Sequence, residues 1–172
     1  MIEAFSRVRA RHPAATLVVV GHFMPPSLEA ELRRDAESRG VAESVEVVGR
    51  VPFAEVGRHL GRAAVGWVPW QPAPKNQKNV PTKLFEYMAF GLPVVASDLA
   101  SIRPFVAEGD TGRLVCADDP EAHAAAILEL LRDRDYAAAM GRRGREAVAS
   151  RFNWAAVEGR LLDLYDRVAG SQ

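Results

Sequence analysis

Apolar positions along the chain follow two alternating rhythms. Ile2, Ala4, Phe5 and Val8 recur at helical spacing ahead of Pro13, which predicts an amphipathic helix over residues 2 to 11. Thr16-Leu-Val-Val-Val-Gly21 breaks that rhythm with a β-branched run free of polar alternation, as expected of a parallel strand covered on both faces. Pro25, Pro26 and Ser27 lead into a helix through Leu28, Leu32 and Ala36 that ends at Gly40, with Ser27 as its N-cap. Val45 to Val48 reads as the second strand, and Pro52 opens a helix to about Leu60. Ala64 to Pro69 is the third strand and runs into a polar loop from Trp70 to Val80. A helix opened by Val80-Pro81-Thr82 and closed by Gly91 follows, then strands over Pro93 to Ala96 and Arg113 to Val115. The tail is helical over Pro120 to Arg132, Asp135 to about Ser150 and Trp154 to Val168, with Asp119 and Asn153 in capping positions.

Strand and helix alternate throughout, so the expected fold class is α/β: a Rossmann-like, doubly wound parallel sheet with helices on both faces, forming a single domain over residues 1 to 172. Ligands of such sheets bind beyond the carboxyl ends of the strands, where Gly21, Gly49, Pro69 and Ser97 lie. Lys and Arg number 22, as do Asp and Glu, so nothing suggests bulk attraction to nucleic acid or anionic lipid and any anion site must be local. The single Cys116 excludes an intrachain disulfide, fits a reducing compartment and reads as a packing residue. No apolar run approaches the roughly 18 residues of a membrane span, and the N-terminal stretch is charged and amphipathic, which together predict a cytoplasmic protein. His12, His59 and His123 fall on expected helix surfaces or ends without metal-ligand spacing, and no metal site is expected.

The chemistry concentrates in residues 79 to 98, NVPTKLFEYMAFGLPVVASD. A helix that starts directly after a loop rich in Pro, Gln, Asn and Lys presents free N–H groups and the positive end of its dipole, where a phosphate would sit. Glu86 stands in the otherwise apolar run Leu84, Phe85, Tyr87, Met88, and a carboxylate buried there without a partner would cost several kcal/mol. A pair of sugar hydroxyls would supply one. Lys83 places a cation in the first helical turn, an unfavourable position unless an anion is bound. Trp67 reads as core, and Trp70 stands at the strand end.

PTKLFEYMAFGLPVVASD resembles the segment that retaining nucleotide-sugar glycosyltransferases of the GT-B fold, the family often called group 1 or GT4, carry in their C-terminal domain. LVVVGHF, VEVVGRVP, VGWVPW, GDTGRLV and SRFNWAAV also fall in family order, so the resemblance covers nearly the whole chain. It implies that Glu86 grips the donor ribose, as the second of two family glutamates eight residues apart. Lys78 stands where the first, which contacts the transferred sugar, would be. It further implies that the amides of Thr82 and Lys83, flanked by Pro81 and Leu84, hold the diphosphate, with Lys83 the catalytic cation. Arg50 and Val51 fall where the family seats the nucleotide base, and Gly21 and His22 end a strand facing the donor. Lys75 or Lys78 is a candidate for replacing an Arg and Lys clamp that the family carries upstream of the position matching Met1.

The implied function is the donor-binding half of a glycosyltransferase that uses a UDP- or GDP-linked sugar, needs no metal or other cofactor, and meets its acceptor on a second domain absent from this chain. The alternatives are an inactive nucleotide-sugar-binding or assembly module, marked by Lys78, and a GT-B-like nucleotide-sugar epimerase, for which Glu86 is nearly alone among the carboxylates required. The family domain also opens with one further, central strand. Its absence predicts that the strand over residues 17 to 20 either pairs directly with that over 65 to 69 or recruits a strand from another chain, with self-association as the sign of the second case.

Overall fold

The computed structural model describes residues 1–106 and 110–169, apart from the side chain of Arg160. Its elements run α1 (Ile2–Arg11), β1 (Leu17–Val20), α2 (Ser27–Ser38), β2 (Val45–Gly49), α3 (Phe53–Leu60), β3 (Gly66–Val68), α4 (Pro74–Lys78), α5 (Thr82–Ala89), β4 (Val94–Ser97), α6 (Arg103–Val106), β5 (Gly112–Val115), α7 (Pro120–Arg132), α8 (Arg134–Ser150) and α9 (Trp154–Ala169). The expected helix and strand alternation is present, with helices on both sides of parallel sheet. Asp119 caps α7 by accepting from the N–H groups of Glu121 and Ala122, and Asn153 Oδ1 accepts from the Ala156 N–H. No helix among the described residues is long and apolar enough to cross a membrane.

The sheet is divided. β1 pairs in parallel with β2, while β3, β4 and β5 form a separate parallel sheet in that order. Direct pairing of β1 with β3 is therefore not what closes the sheet, and β1 is not covered on both faces. Val18 and Val20 are 43% and 36% exposed because only the alternate residues of β1, Leu17 and Val19, turn to the packed face.

Two cores flank the sheets. One gathers Ile2, Phe5 and Val8 of α1, Leu32 and Ala36 of α2, Val95 of β4 and the inner face of α7, with Leu17, Val45, Val47 and Trp67 packed against it. It draws on both sheets, so α1 and its neighbours join them on this side. The other core belongs to the larger sheet alone: Val68, Val94 and Ala96 meet Leu84 and Met88 of α5, Ile102, Val106 and Ala147.

Several local expectations change. Ser27 is the first residue of α2 and forms no capping bond, because Pro26 already has helical angles, φ −57° and ψ −26°. Cys116 is exposed just past β5, where nothing packs over it. His123 is buried, turned inward on the apolar stripe of α7 with Ile127 and Leu130. The Trp67 indole N–H donates to His123 Nδ1 at 3.0 Å, which leaves the imidazole proton on Nε2. Burial lowers the His123 pKa, and the nearby Met1 ammonium adds to this. Protonation would also set two N–H donors face to face across the Trp67 contact.

Glycine decides how closely α8 approaches α5. A Cβ on Gly141 would fall on the Gly91 carbonyl oxygen, whereas one on Gly144 would meet Met88 at ordinary van der Waals distance, 3.4 Å at its nearest. Ala in a helix interior is normally better than Gly by up to about 1 kcal/mol. Gly141→Ala should reverse that sign and destabilise by about 1 to 3 kcal/mol, the usual cost of overpacking. Urea unfolding checks this, with Gly144→Ala expected within about 1 kcal/mol of the parent.

The His123 environment gives a pH dependence of known sign. Its folded pKa lies below the ordinary 6.5, so its contribution is complete above pH 6.5 and is lost as pH falls below that value. The drop in melting temperature between pH 7.5 and pH 5 should be smaller in His123→Gln, which keeps an acceptor for Trp67 but does not titrate. An equal drop in both proteins would remove His123 from the account.

Candidate functional site

The site begins with the way α5 is seated. Leu84 and Met88 are fully buried, Phe85 meets Phe105 edge-on at 5.0 Å and leans on Phe152 at 5.6 Å, and Tyr87 lies against Gly66, where any Cβ would collide with it. Those contacts fix the rotation of the helix and leave Lys83 exposed and Glu86 half-buried on the remaining side. The Glu86 carboxylate makes no hydrogen bond or ion pair among the described residues. Its charge is nevertheless felt: burial first and Glu86 second push the Tyr87 phenol upward.

Pro81 precedes the helix with extended angles, φ −71° and ψ 121°, and offers no side-chain cap. Its carbonyl accepts the Leu84 N–H at 3.0 Å. The N–H groups of Thr82 and Lys83 are left over, as the first donors of any helix are, and both residues are exposed. With no acidic residue in the first turn, the Lys83 charge adds to the positive end of the dipole. Leu84, also expected at the donor, has its side chain in the core, and its N–H donates to the Pro81 carbonyl. Pro81 is buried too, and its contribution is the angle at which the helix starts.

The carboxyl end of β4 adjoins this helix start through the second core. All four residues of β4 are buried, and the Ser97 hydroxyl at its end has no hydrogen-bond partner among the described residues. Asp98 follows, held in a two-pronged pair by Arg103 with Nη2 to Oδ2 at 2.9 Å, which keeps its carboxyl below the ordinary range. The expected loop from Trp70 to Val80 contains α4 and is fastened at both sides. Ser101 Oγ donates to the Asn76 carbonyl at 2.7 Å, and Asn76 Nδ2 donates to the Gln71 carbonyl at 2.8 Å. Lys75 and Lys78 are exposed on this pinned turn.

A second group sits on the smaller sheet. The Gly21 N–H donates to the Gly49 carbonyl at 2.8 Å, and both glycines have positive φ, 134° and 78°, which lets the chain turn sharply at the ends of β1 and β2. This brings Gly21 and His22 beside the turn that carries Arg50 and Val51; His22 and Arg50 are exposed and Val51 is half-buried. The structure thus gathers the expected residues into two groups, one on each sheet. Both groups lie beyond the carboxyl ends of parallel strands, which is where doubly wound folds bind their ligands. Sequence reasoning missed the role of Ser101 and Asn76, whose bond joins two loops across 25 positions and leaves no local signal.

Unspent N–H donors at the start of α5, a carboxylate without a partner among the described residues and exposed lysines stand on an α/β domain of parallel strands. Residues 1–133 match the family described as glycosyl transferases group 1, and the chain belongs to that family. Among curated relatives, phosphatidyl-myo-inositol mannosyltransferase of Mycolicibacterium smegmatis is 32% identical over 171 residues, covering 99% of this chain and 42% of the relative. The GDP-mannose-dependent alpha-(1-6)-phosphatidylinositol monomannoside mannosyltransferase of Mycobacterium tuberculosis is 33% identical over 165 residues, covering 95% of this chain and 42% of the relative. Sucrose-phosphate synthase from Thermosynechococcus elongatus superposes with a TM-score of 0.83 at 30% identity, over 99% of this chain and 43% of that one. Anabaena HepE in complex with UDP superposes at 0.85 over 96% of this chain and 44% of that one, and its 19% identity makes it a likeness of fold alone. The chain therefore spans about 42% of the length of the curated relatives it matches.

Proposed function

We propose that this domain binds the nucleotide-diphosphate sugar of a retaining glycosyltransferase, with the acceptor held on a second domain and the reaction run in the cytoplasm. The observation that carries the proposal is the conjunction at α5: two unspent N–H groups, a first-turn lysine and, one turn on, a half-buried carboxylate without a partner. The diphosphate takes the Thr82 and Lys83 N–H groups, and the ribose hydroxyls donate to Glu86. Base contacts fall to the Arg50 and Val51 turn. The names of the mannosyltransferase relatives favour GDP-mannose as the donor.

In the transfer step, the bond from the sugar to the diphosphate breaks and charge builds on the leaving oxygen. Fixed N–H donors and the Lys83 ammonium stabilise that charge electrostatically in place of a metal ion. Lys78 favours one further reading: standing exposed at the end of α4 where the family has a glutamate, it marks a domain that binds a nucleotide sugar without transferring it. Transfer by a protein joining this domain to an acceptor half separates the two.

Titration of the chain with GDP and, separately, UDP, followed through amide chemical shifts, should perturb residues 49 to 52 and 80 to 86, with GDP the tighter ligand. Shifts confined to α7, α8 and α9 would sink the assignment. Glu86→Ala should weaken GDP binding by about 10- to 150-fold, the equivalent of losing about 1.5 to 3 kcal/mol of charged hydrogen bonding. Fold stability should change little, since the substitution also removes a half-desolvated charge, and unchanged affinity would make Glu86 a structural residue.

A further inference from the structure

The connection between β3 and α5 is anchored near its ends by apolar side chains, since Trp70 and Val80 both pack against the second core. Between them α4 has no such hold. None of its residues is buried, and neither core contains one of them. A helix of five residues does not persist on its own bonds, because nucleation costs more than so few bonds return. Among the described residues, one hydrogen bond ties α4 to a distant part of the chain: Ser101 Oγ donates to the Asn76 carbonyl at 2.7 Å. The Asn76 Nδ2 bond to the Gln71 carbonyl holds the turn only to its own loop.

The other half of that contact is fixed from several sides. Ser101 stands between Leu99 and Ile102, both buried in the second core, and Arg103 holds Asp98 in its two-pronged pair. Phe105 of α6 meets Phe85 of α5 edge-on at 5.0 Å, so the stretch from Asp98 to Phe105 is set against the helix whose first turn presents the unspent N–H groups and Lys83. Ser101 passes that fixed position on to α4. With α4 go Lys75 and Lys78, two exposed cations without an ion pair among the described residues.

We propose that Ser101 is a positioning residue for the nucleotide diphosphate: its hydroxyl holds α4 where Lys75 and Lys78 reach the anion bound at the start of α5, and it touches no ligand itself. This role rests on the donor reading above and adds a second wall to its phosphate site. When the Ser101 bond opens, α4 loses its one tie and the two ammonium groups disperse, so a smaller fraction of molecules is ready to bind. Apparent affinity for the diphosphate falls with that fraction. The nucleoside end does not feel the change, because Glu86 is placed by the packing of α5, and Arg50 and Val51 stand on the other sheet's turn.

The test titrates the full chain with GDP and with guanosine, followed by amide chemical shifts, in the parent, Ser101→Ala and Ser101→Thr. Ser101→Ala should weaken GDP about 3- to 10-fold, the equivalent of one neutral hydrogen bond, and leave guanosine unchanged. Ser101→Thr keeps the hydroxyl and should bind GDP as the parent does. In a Lys75→Ala/Lys78→Ala background, Ser101→Ala should weaken GDP no further, as expected of groups that act as one unit. Backbone order parameters of residues 75–78 should fall in Ser101→Ala from about 0.85 to below about 0.6. The melting temperature should stay within about 2 °C of the parent, since no buried residue of α4 is lost. Unchanged GDP affinity or unchanged order parameters in Ser101→Ala would overturn the proposal, as would an equal loss for guanosine or an equal loss in the background without the lysines. A parent that binds neither GDP nor UDP overturns the donor reading and this role together, whereas a parent that binds GDP beside an unaffected Ser101→Ala overturns this role alone.

Discussion

The packing of α1 across both sheets is the contact on which the rest of the molecule depends. Ile2, Phe5 and Val8 are each nearly or fully buried, and the cluster they anchor is the one that takes residues from β1, β2, β3 and β4 together. Burying three such side chains contributes roughly 5 to 9 kcal/mol. That is comparable to the whole net stability of an ordinary domain. The polar face of the same helix adds little by comparison. Arg7 and Arg11 reach Glu121 on α7, and Arg7 also reaches Glu3, but all four side chains are substantially exposed, and such pairs contribute at most about 1 kcal/mol each. They set the register of α1 on α7 once the apolar face has fixed its position.

The candidate site is assembled by the same means at one remove. The helix α5 has no side-chain cap, and its Glu86 carboxylate has no partner among the described residues, so its polar groups do not orient it. Leu84 and Met88 enter the second core, with Phe85 and Tyr87 packed against it, and the side left over is where Lys83 and Glu86 lie. A site whose polar atoms are placed by apolar neighbours is already arranged before a ligand arrives, which reduces the ordering cost of binding.

Much of this was legible in the amino-acid order. The run from Pro81 to Ser97 encodes its own geometry: proline before the helix, Gly91 after it, and a wholly apolar strand that can only lie inside a sheet. The capping residues Asp119 and Asn153 were readable because their bonds span only two or three positions. Features fixed by distant contacts were not. α4 and α6 are five and four residues long, too short for a periodic pattern to develop. His123 looks like a surface residue by type and is drawn inward by an indole 56 positions away. Val18 and Val20 have the composition of a central strand, and their exposure follows from the face they turn to, which a β-branched run without polar alternation does not encode.

The last helix behaves differently from everything before it. Trp154, Val157, Leu161, Tyr165 and Val168 recur along one side of α9 and all stand exposed, and neither core contains a residue of that helix among those described. A helix held mainly by its own hydrogen bonds opens at low free energy, independently of the packed body. A signal that counts total helicity would therefore begin to fall while a signal from the buried Trp67 contact stayed flat. One unfolding free energy should then not suffice for the packed body and α9 together, with α9 expected to open first.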